Sequence, residues 1–253
     1  MPVKDATRRF SSRVDNYVRY RPGYPAEIIE LLKKECALAP DSVIADIAFG
    51  TGIFTRILVE NGNRVFGVEP NDEMRRAGER FLESYSRFTS VAGKAEATTL
   101  PDHSVDFVTA AQAAHWFDRE KARREFIRIL KPNGWTVLLW NDRRMDSTEF
   151  QREYEQLLRS YGTDYEEVRQ RGMSLGIEGF FTQSFQMREL EYTQTFDYAG
   201  LEGRLLSSSY IPHKNHPQYD AMLRELHRIF DRHQANGRVS FDYDTRIYYG
   251  QLE

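Results

Sequence analysis

The sequence predicts an α/β fold built on a doubly wound, mostly parallel sheet of seven strands, and three observations carry that expectation. Short apolar runs bounded by turn residues recur through the first 140 positions, at Val43 to Ile47, Arg64 to Val68, Phe88 to Ala92, Phe107 to Ala111 and Trp135 to Trp140, with helical patterns between most of them. A glycine loop, Gly50-Thr51-Gly52, closes the first run and opens a helix. An acid, Glu69, ends the second run seventeen residues after Gly52. That order is the order of a nucleotide-binding half.

Ahead of the first strand, Phe10, Val14, Tyr17, Val18 and Tyr20 form an apolar and aromatic series that Arg21-Pro22-Gly23-Tyr24-Pro25 brings to a stop. A helix follows from Ala26 to about Cys36. This tyrosine- and arginine-rich arm suits either packing outside the sheet or a lid over a site. Val43, Ile44, Ala45 and Ile47 make a strand buried on both faces. Glycine in the loop permits positive φ and removes the Cβ that would hold a ligand away, while the next helix offers its unpaired N–H groups. In that helix Ile53, Phe54, Ile57 and Leu58 share a face, and Asn61-Gly62 supplies the stop. The Glu69 carboxylate can accept from both hydroxyls of an unphosphorylated ribose. A dinucleotide fingerprint wants a small residue at position 55, where Thr55 stands, which disfavours a nicotinamide cofactor.

Asn71 is a plausible N-cap for a helix reaching about Tyr85, with Asp72 and Glu73 at its positive end and Met74, Ala77 and Phe81 inward. The third strand ends in the turn Gly93-Lys94-Ala95-Glu96. Ala111 to Asp118 lies beyond the carboxyl end of the fourth strand, where open α/β sheets bind ligands. Trp116 and Phe117 suit core packing as well as a cleft, and Gln112 and His115 are its polar groups. Asp118 caps a helix running to Leu130, with Ala122, Phe126, Ile129 and Leu130 inward, and Lys131-Pro132-Asn133-Gly134 turns into the fifth strand. Beyond Asn141 the pattern predicts helices from Ser147 to Tyr161 and Tyr165 to Arg171, and a loose stretch from Gly172 to Gly179. A sixth strand from Gln186 to Phe196 and a helix from Tyr219 to His233 follow, and the last strand, Val239 to Tyr249, pairs antiparallel beside the sixth. Residues 1–253 then form one domain: a cap over 1–40, a core over 41–141, and lid helices with the last two strands over 142–253.

The loop Asp46-Ile47-Ala48-Phe49-Gly50-Thr51-Gly52 resembles the first motif of class I S-adenosylmethionine (SAM) dependent methyltransferases, D-x-G-x-G-x-G, with Ala48 in place of the first glycine. The phrases Y-x-x-Y-R-P-x-Y-P at 17–25, A-x-A-x-H-W-F-D at 111–118 and L-K-P-x-G at 130–134 resemble small-molecule enzymes of the trans-aconitate methyltransferase type, in the methyltransferase type 11 group. The resemblance implies a Rossmann-like sheet with an antiparallel edge strand, an N-terminal helical lid and helical insertions over the active site. It implies SAM as cofactor, with Asp46 and Arg21 at its methionine end and Ala48, Gly50, Thr51 and Gly52 passing beneath it. Glu69, Pro70 and Met74 would take the ribose and adenine, Ala95 and Glu96 the adenine turn, and Tyr17 and Gln112 the flanks. Many relatives carry an acid where Lys94 stands, and lysine has no acceptor to replace it. Tyr20, His115, Trp116, Arg143 and Arg144 would shape the acceptor pocket, with His115 as the base if the acceptor is a hydroxyl or amine. A carboxylate acceptor would need none.

With 35 Lys and Arg against 38 Asp and Glu, the net charge of −3 gives no global field for nucleic-acid phosphates. One cysteine, Cys36, excludes an internal disulfide, and no metal cluster is expected. No apolar leader or span is legible, so a cytoplasmic location without a membrane is expected. The expected function is methyl transfer from SAM to a small-molecule acceptor, a carboxylate among the candidates, by a monomer or homodimer. The alternatives are a non-catalytic SAM-binding or interaction protein, and a nucleic acid or protein methyltransferase.

Overall fold

The computed structural model describes residues 20–167, 180–181 and 184–252. In chain order the elements are α1 (Glu27–Cys36), β1 (Val43–Ile47), α2 (Ile53–Glu60), β2 (Arg64–Val68), α3 (Asp72–Phe81), β3 (Phe88–Val91) and β4 (Val105–Ala111). There follow a 3-10 turn (Ala114–Trp116), α4 (Arg119–Ile129), β5 (Leu130–Arg143), α5 (Glu149–Tyr161), β6 (Gln186–Phe196), α6 (Tyr198–Leu206), α7 (Tyr219–His233) and β7 (Val239–Gly250).

The sheet order is β3-β2-β1-β4-β5-β7-β6. Strands β1 to β5 pair in parallel, and β7 runs antiparallel to both neighbours, one place in from the rim, with β6 outside it. The connections reverse between β1 and β4, which makes the carboxyl ends of those two strands the switch point where such sheets open a crevice. One face is covered by α1 and α2, through Ile28, Leu32, Phe54 and Leu58. The other is covered by α4, whose Ala122, Phe126 and Ile129 are fully buried, and by Phe180 and Phe181. A third cluster joins α5, α6 and α7 to the β7–β6 end of the sheet around Phe241 and Tyr243.

Caps follow the sequence closely. Asn71 accepts from the N–H groups of Glu73 and Met74, and Asp118 and Thr148 accept from those of Lys121 and Gln151. The buried face of α2 is rotated from expectation: Phe54, Thr55, Leu58 and Val59 point inward while Ile53 and Ile57 are only half-buried. Thr55 turns in because it has a polar partner beneath it, described below. The turn expected at Lys131–Gly134 is absorbed into β5 as an irregularity: Leu130 pairs with Val105, the register then shifts, and Asn133 takes φ 62°. Helix α6 was not anticipated. The N-terminal arm through residue 19, including Tyr17, and most of the stretch expected as a helix and loose loop over 165–179, lie outside the described residues. Among the described residues no helix is long and apolar enough to cross a membrane, and no group of His, Cys, Asp or Glu could hold a metal ion.

Candidate active site

The carboxyl edge of the sheet gathers most of the predicted residues. After β1 the chain takes three left-handed steps, at Ala48 (φ 55°), Gly50 (φ 59°) and Gly52 (φ 86°). Gly52 is required twice over, by its backbone and by space, since a Cβ there would come 2.7 Å from Leu82 Cδ1. Ala48 is an L-residue in a conformation that costs about 1–2 kcal/mol, and its N–H is anchored to the Val68 carbonyl at 2.7 Å.

Asp46 lies under this loop rather than on its surface. It is 1% exposed, Oδ2 accepts from Thr55 Oγ1 at 2.6 Å, and Oδ1 accepts from Thr109 Oγ1 at 2.8 Å. Burial raises its carboxyl to about 6, against the two hydroxyls that lower it. Asp46 therefore fixes the start of the loop to α2 and β4 at once.

Glu69, 7% exposed, sits at the end of β2 with Oε2 accepting from Gly50 N–H at 3.1 Å and Oε1 from Asn71 N–H at 2.9 Å. Each oxygen uses one lone pair on the backbone and keeps another. Burial pushes this carboxyl up, while those two amides and Arg75 oppose the rise. Met74, 6% exposed on α3, approaches the loop from below: a Cβ on Gly50 would lie 3.4 Å from Met74 Cε. Pro70 is exposed beside Glu69. Thr51 Oγ1 is buried with no hydrogen-bond partner.

The loops after β3 and β4 meet. Ala95 is buried, and Glu96 Oε1 accepts from the Asp118 N–H at 2.8 Å, so its carboxylate holds the start of α4. Gln112 takes φ 58° just past β4 and donates from Nε2 to the Asn141 carbonyl at 3.0 Å. A non-glycine residue in that region at a ligand-binding edge is strained where such sites usually keep their strain. His115 packs between Trp116, at 4.4 Å between ring centroids, and Trp140, at 5.0 Å edge-to-face.

The segment 20–25 crosses over this edge and is tied at several points. Asn141 Nδ2 donates to the Gly23 carbonyl at 2.7 Å, Arg21 Nη2 to the Ser207 carbonyl at 3.2 Å, and the Tyr20 ring occupies the space a Cβ on Gly203 would need. Tyr20 and Arg21 thus reach α6. Arg143, at the end of β5, is held deep in the third cluster: Nη2 donates to Glu155 Oε2 at 2.6 Å, and the guanidinium lies 5.2 Å from the Tyr154 ring centroid. Burial alone would raise the Glu155 carboxyl, but the Tyr165 hydroxyl and Arg143 bring it below its ordinary value. Arg144 stands apart from this group. It pairs with Asp244 and Glu191, so its charge is already met by two carboxylates.

Sequence reasoning missed Thr109, Asn141 and the whole of α6. Arg204 carried the signal: in Leu201-Glu202-Gly203-Arg204-Leu205 it shares a helical face with two leucines, an unusual place for a charge unless it has work there.

Comparison with known proteins gives the site its context. Residues 45–138 match the model of a methyltransferase domain. An uncharacterized methyltransferase-like protein of Schizosaccharomyces pombe is 27% identical over 250 residues, covering 97% of this chain and 96% of that one. An uncharacterized methyltransferase of Mycobacterium tuberculosis is 38% identical over 140 residues, 55% of either chain. In fold, the structure of a candidate type II methyltransferase from Anaeromyxobacter dehalogenans superposes with a TM-score of 0.67 at 22% identity, covering 92% of this chain and 98% of that one.

Proposed function

Because the chain belongs to the class I SAM-dependent methyltransferases and is an enzyme of that kind, we propose that it methylates a small organic acceptor in the crevice above the β1–β4 switch point. Its cofactor is SAM, and the residues present fit it. Gly50 and Gly52 bring bare backbone to the edge beside Met74, Glu69 keeps a lone pair on each oxygen, and Thr51 Oγ1 is a buried polar atom still without a partner. When bound, SAM supplies a methyl group already activated on a sulfonium.

The chain's own part is then binding, orientation and exclusion of water. Glu69 would accept from the ribose hydroxyls, Gly50 to Gly52 would let the cofactor approach the backbone, and Pro70, Met74 and Ala95 would border the adenosine. Asp46 acts on the cofactor through the loop it fixes, and Glu96 through the α4 start it holds. Arg21, Gln112, Tyr20 and, by resemblance, Tyr17 flank the methionine end and the acceptor. His115, pressed between Trp116 and Trp140, would serve as the base for a hydroxyl or amine acceptor.

The observation that carries a small acceptor is the strap over the crevice. Residues 20–25 are bonded to β5 through Asn141 and to the end of α6 through Ser207, and a strap tied at both places favours an acceptor small enough to pass beneath it. The test is calorimetric titration with S-adenosylhomocysteine, then a methyl-transfer screen with labelled SAM. Expected are saturable binding, weakened at least tenfold in Glu69→Ala by loss of charge-assisted hydrogen bonds, and label transfer to small acids, phenols or amines. Transfer to protein or nucleic acid alone would overturn the reading.

A further inference from the structure

The third cluster holds more positive charge than it neutralises. Arg204 on α6 is 7% exposed, yet what it meets is the hydroxyls of Ser208, with Oγ 3.3 Å from Nη1, and Tyr243, and the nearby Tyr154 and Tyr210. Among the described residues no carboxylate pairs with it. Its Nε is buried without a hydrogen-bond partner, as is Arg143 Nη1, and the buried Tyr243 hydroxyl stands against the Arg204 guanidinium.

These three donors belong to one neighbourhood. Arg143 and Tyr243 are register partners across β5 and β7, and Tyr154 and Tyr210 lie within electrostatic reach of both guanidiniums. Among the described residues the carboxylate that pairs with Arg143 is Glu155, which it shares with Arg159. Burying a guanidinium costs free energy that a tyrosine hydroxyl does not return, whereas an oxyanion returns it through paired, charge-assisted hydrogen bonds. A guanidinium kept in that state marks a place for an anion.

The place is adjacent to the crevice. Arg143 follows Asn141 by two residues on β5, on the same face and roughly 7 Å along the strand. Asn141 is the residue that Gln112 and the strap both engage. Tyr20 packs on Gly203, next to Arg204.

Resting on the methyltransferase reading of the crevice, we propose that the acceptor carries a carboxylate, held as a recognition handle by Arg204 and Arg143 with the Tyr243 hydroxyl. A carboxylate clamped by two guanidiniums is a poor nucleophile, because its charge is drawn into those bonds. The handle is therefore separate from the atom that receives the methyl group, which lies toward Gln112 and His115. The acceptor is bifunctional: an acid at one end, and a second acid, hydroxyl or amine at the other.

The test uses the full chain saturated with S-adenosylhomocysteine, and reads thermal midpoints in sodium acetate, succinate, citrate and benzoate at constant ionic strength, each beside its neutral amide. An acid at ten times its Kd should raise the midpoint by roughly 3–6 °C, its amide should not, and the rise should vanish in Arg204→Met and shrink in Tyr243→Phe. Arg204→Lys, which keeps the charge without the planar fork, guards against a misfolded methionine variant and should lose most of the rise. Equal effects of acids and amides on the wild type, or an acid effect unchanged in the Arg204 variants, would overturn the carboxylate handle while leaving the crevice assignment standing. Failure of S-adenosylhomocysteine to bind the wild type would overturn both.

Discussion

Thr55 Oγ1 donates to Asp46 Oδ2 at 2.6 Å, and this one bond ties the first turn of the loop helix to the last residues of the strand that precedes it. The position that departs from a dinucleotide fingerprint is thereby the position that holds this loop. Helix and strand are coupled through a hydroxyl and a carboxylate instead of through close backbone packing.

Replacing Thr55 with Val keeps the shape and removes the donor. Asp46 then keeps Thr109 alone while remaining buried, so Thr55→Val should destabilise the fold by about 1–3 kcal/mol, and Thr55→Ser should recover most of it. Urea unfolding gives both numbers. A Val variant as stable as wild type would mean that water has replaced the hydroxyl.

The raised Asp46 carboxyl links stability to pH. Its folded value of about 6 stands above its ordinary 3.8, so the folded protein holds a proton there that the unfolded chain has released. Stability from this group is full below the unfolded value and is lost as pH rises through 6, a change on the order of 3 kcal/mol. Asp46→Asn cannot ionise and should flatten that part of the profile between pH 4 and 7, which midpoints taken across the range in both proteins would reveal. A variant whose profile keeps the wild-type slope there would place the titration elsewhere.

Ala48 occupies a left-handed position at φ 55° where a glycine would be unstrained. Ala48→Gly relieves that strain of about 1–2 kcal/mol and gives back about 0.4–1 kcal/mol through the greater freedom of the unfolded chain. The variant should be as stable as wild type or slightly more so, and should bind S-adenosylhomocysteine at least as tightly. Weaker binding by calorimetry would mean that the alanine methyl itself touches the cofactor.

Much of this was legible beforehand because its signals are local. The alternation over Gln186 to Phe196 and the apolar spacing from Tyr219 to His233 gave β6 and α7 their limits, and Asn71 and Asp118 announced their caps. Gly50, Gly52 and Glu69 fall together at the switch point because one strand-helix-strand unit delivers them. What was not legible depends on pairings far apart in sequence. Asp46 is legible as an acid at the end of a strand, but that Thr109, sixty-three residues away, shares it is not. Helix α6 hides behind Gly200 and Gly203, which lower its helical propensity, and Gly203 is there for the ring of Tyr20. Arg143 and Arg144 are neighbours in sequence, but the two-residue period of β5 sends one into the third cluster and the other to surface acids.

The pairing of Arg143 with Glu155 offers the sharpest energetic test of that cluster. Both side chains are about nine-tenths buried, and the Tyr165 hydroxyl completes the carboxylate's bonding at 2.6 Å. Glu155→Gln leaves Arg143 charged, buried and without its counterion, which should cost about 3–5 kcal/mol. The double variant Glu155→Gln with Arg143→Met removes the stranded charge and should regain much of that loss, giving a coupling well outside additivity. Urea denaturation of the two single variants and the double closes the cycle. Additive losses would mean that Arg143 reaches water once its partner is gone, and that the cluster is open enough for solvent to do the work of an anion.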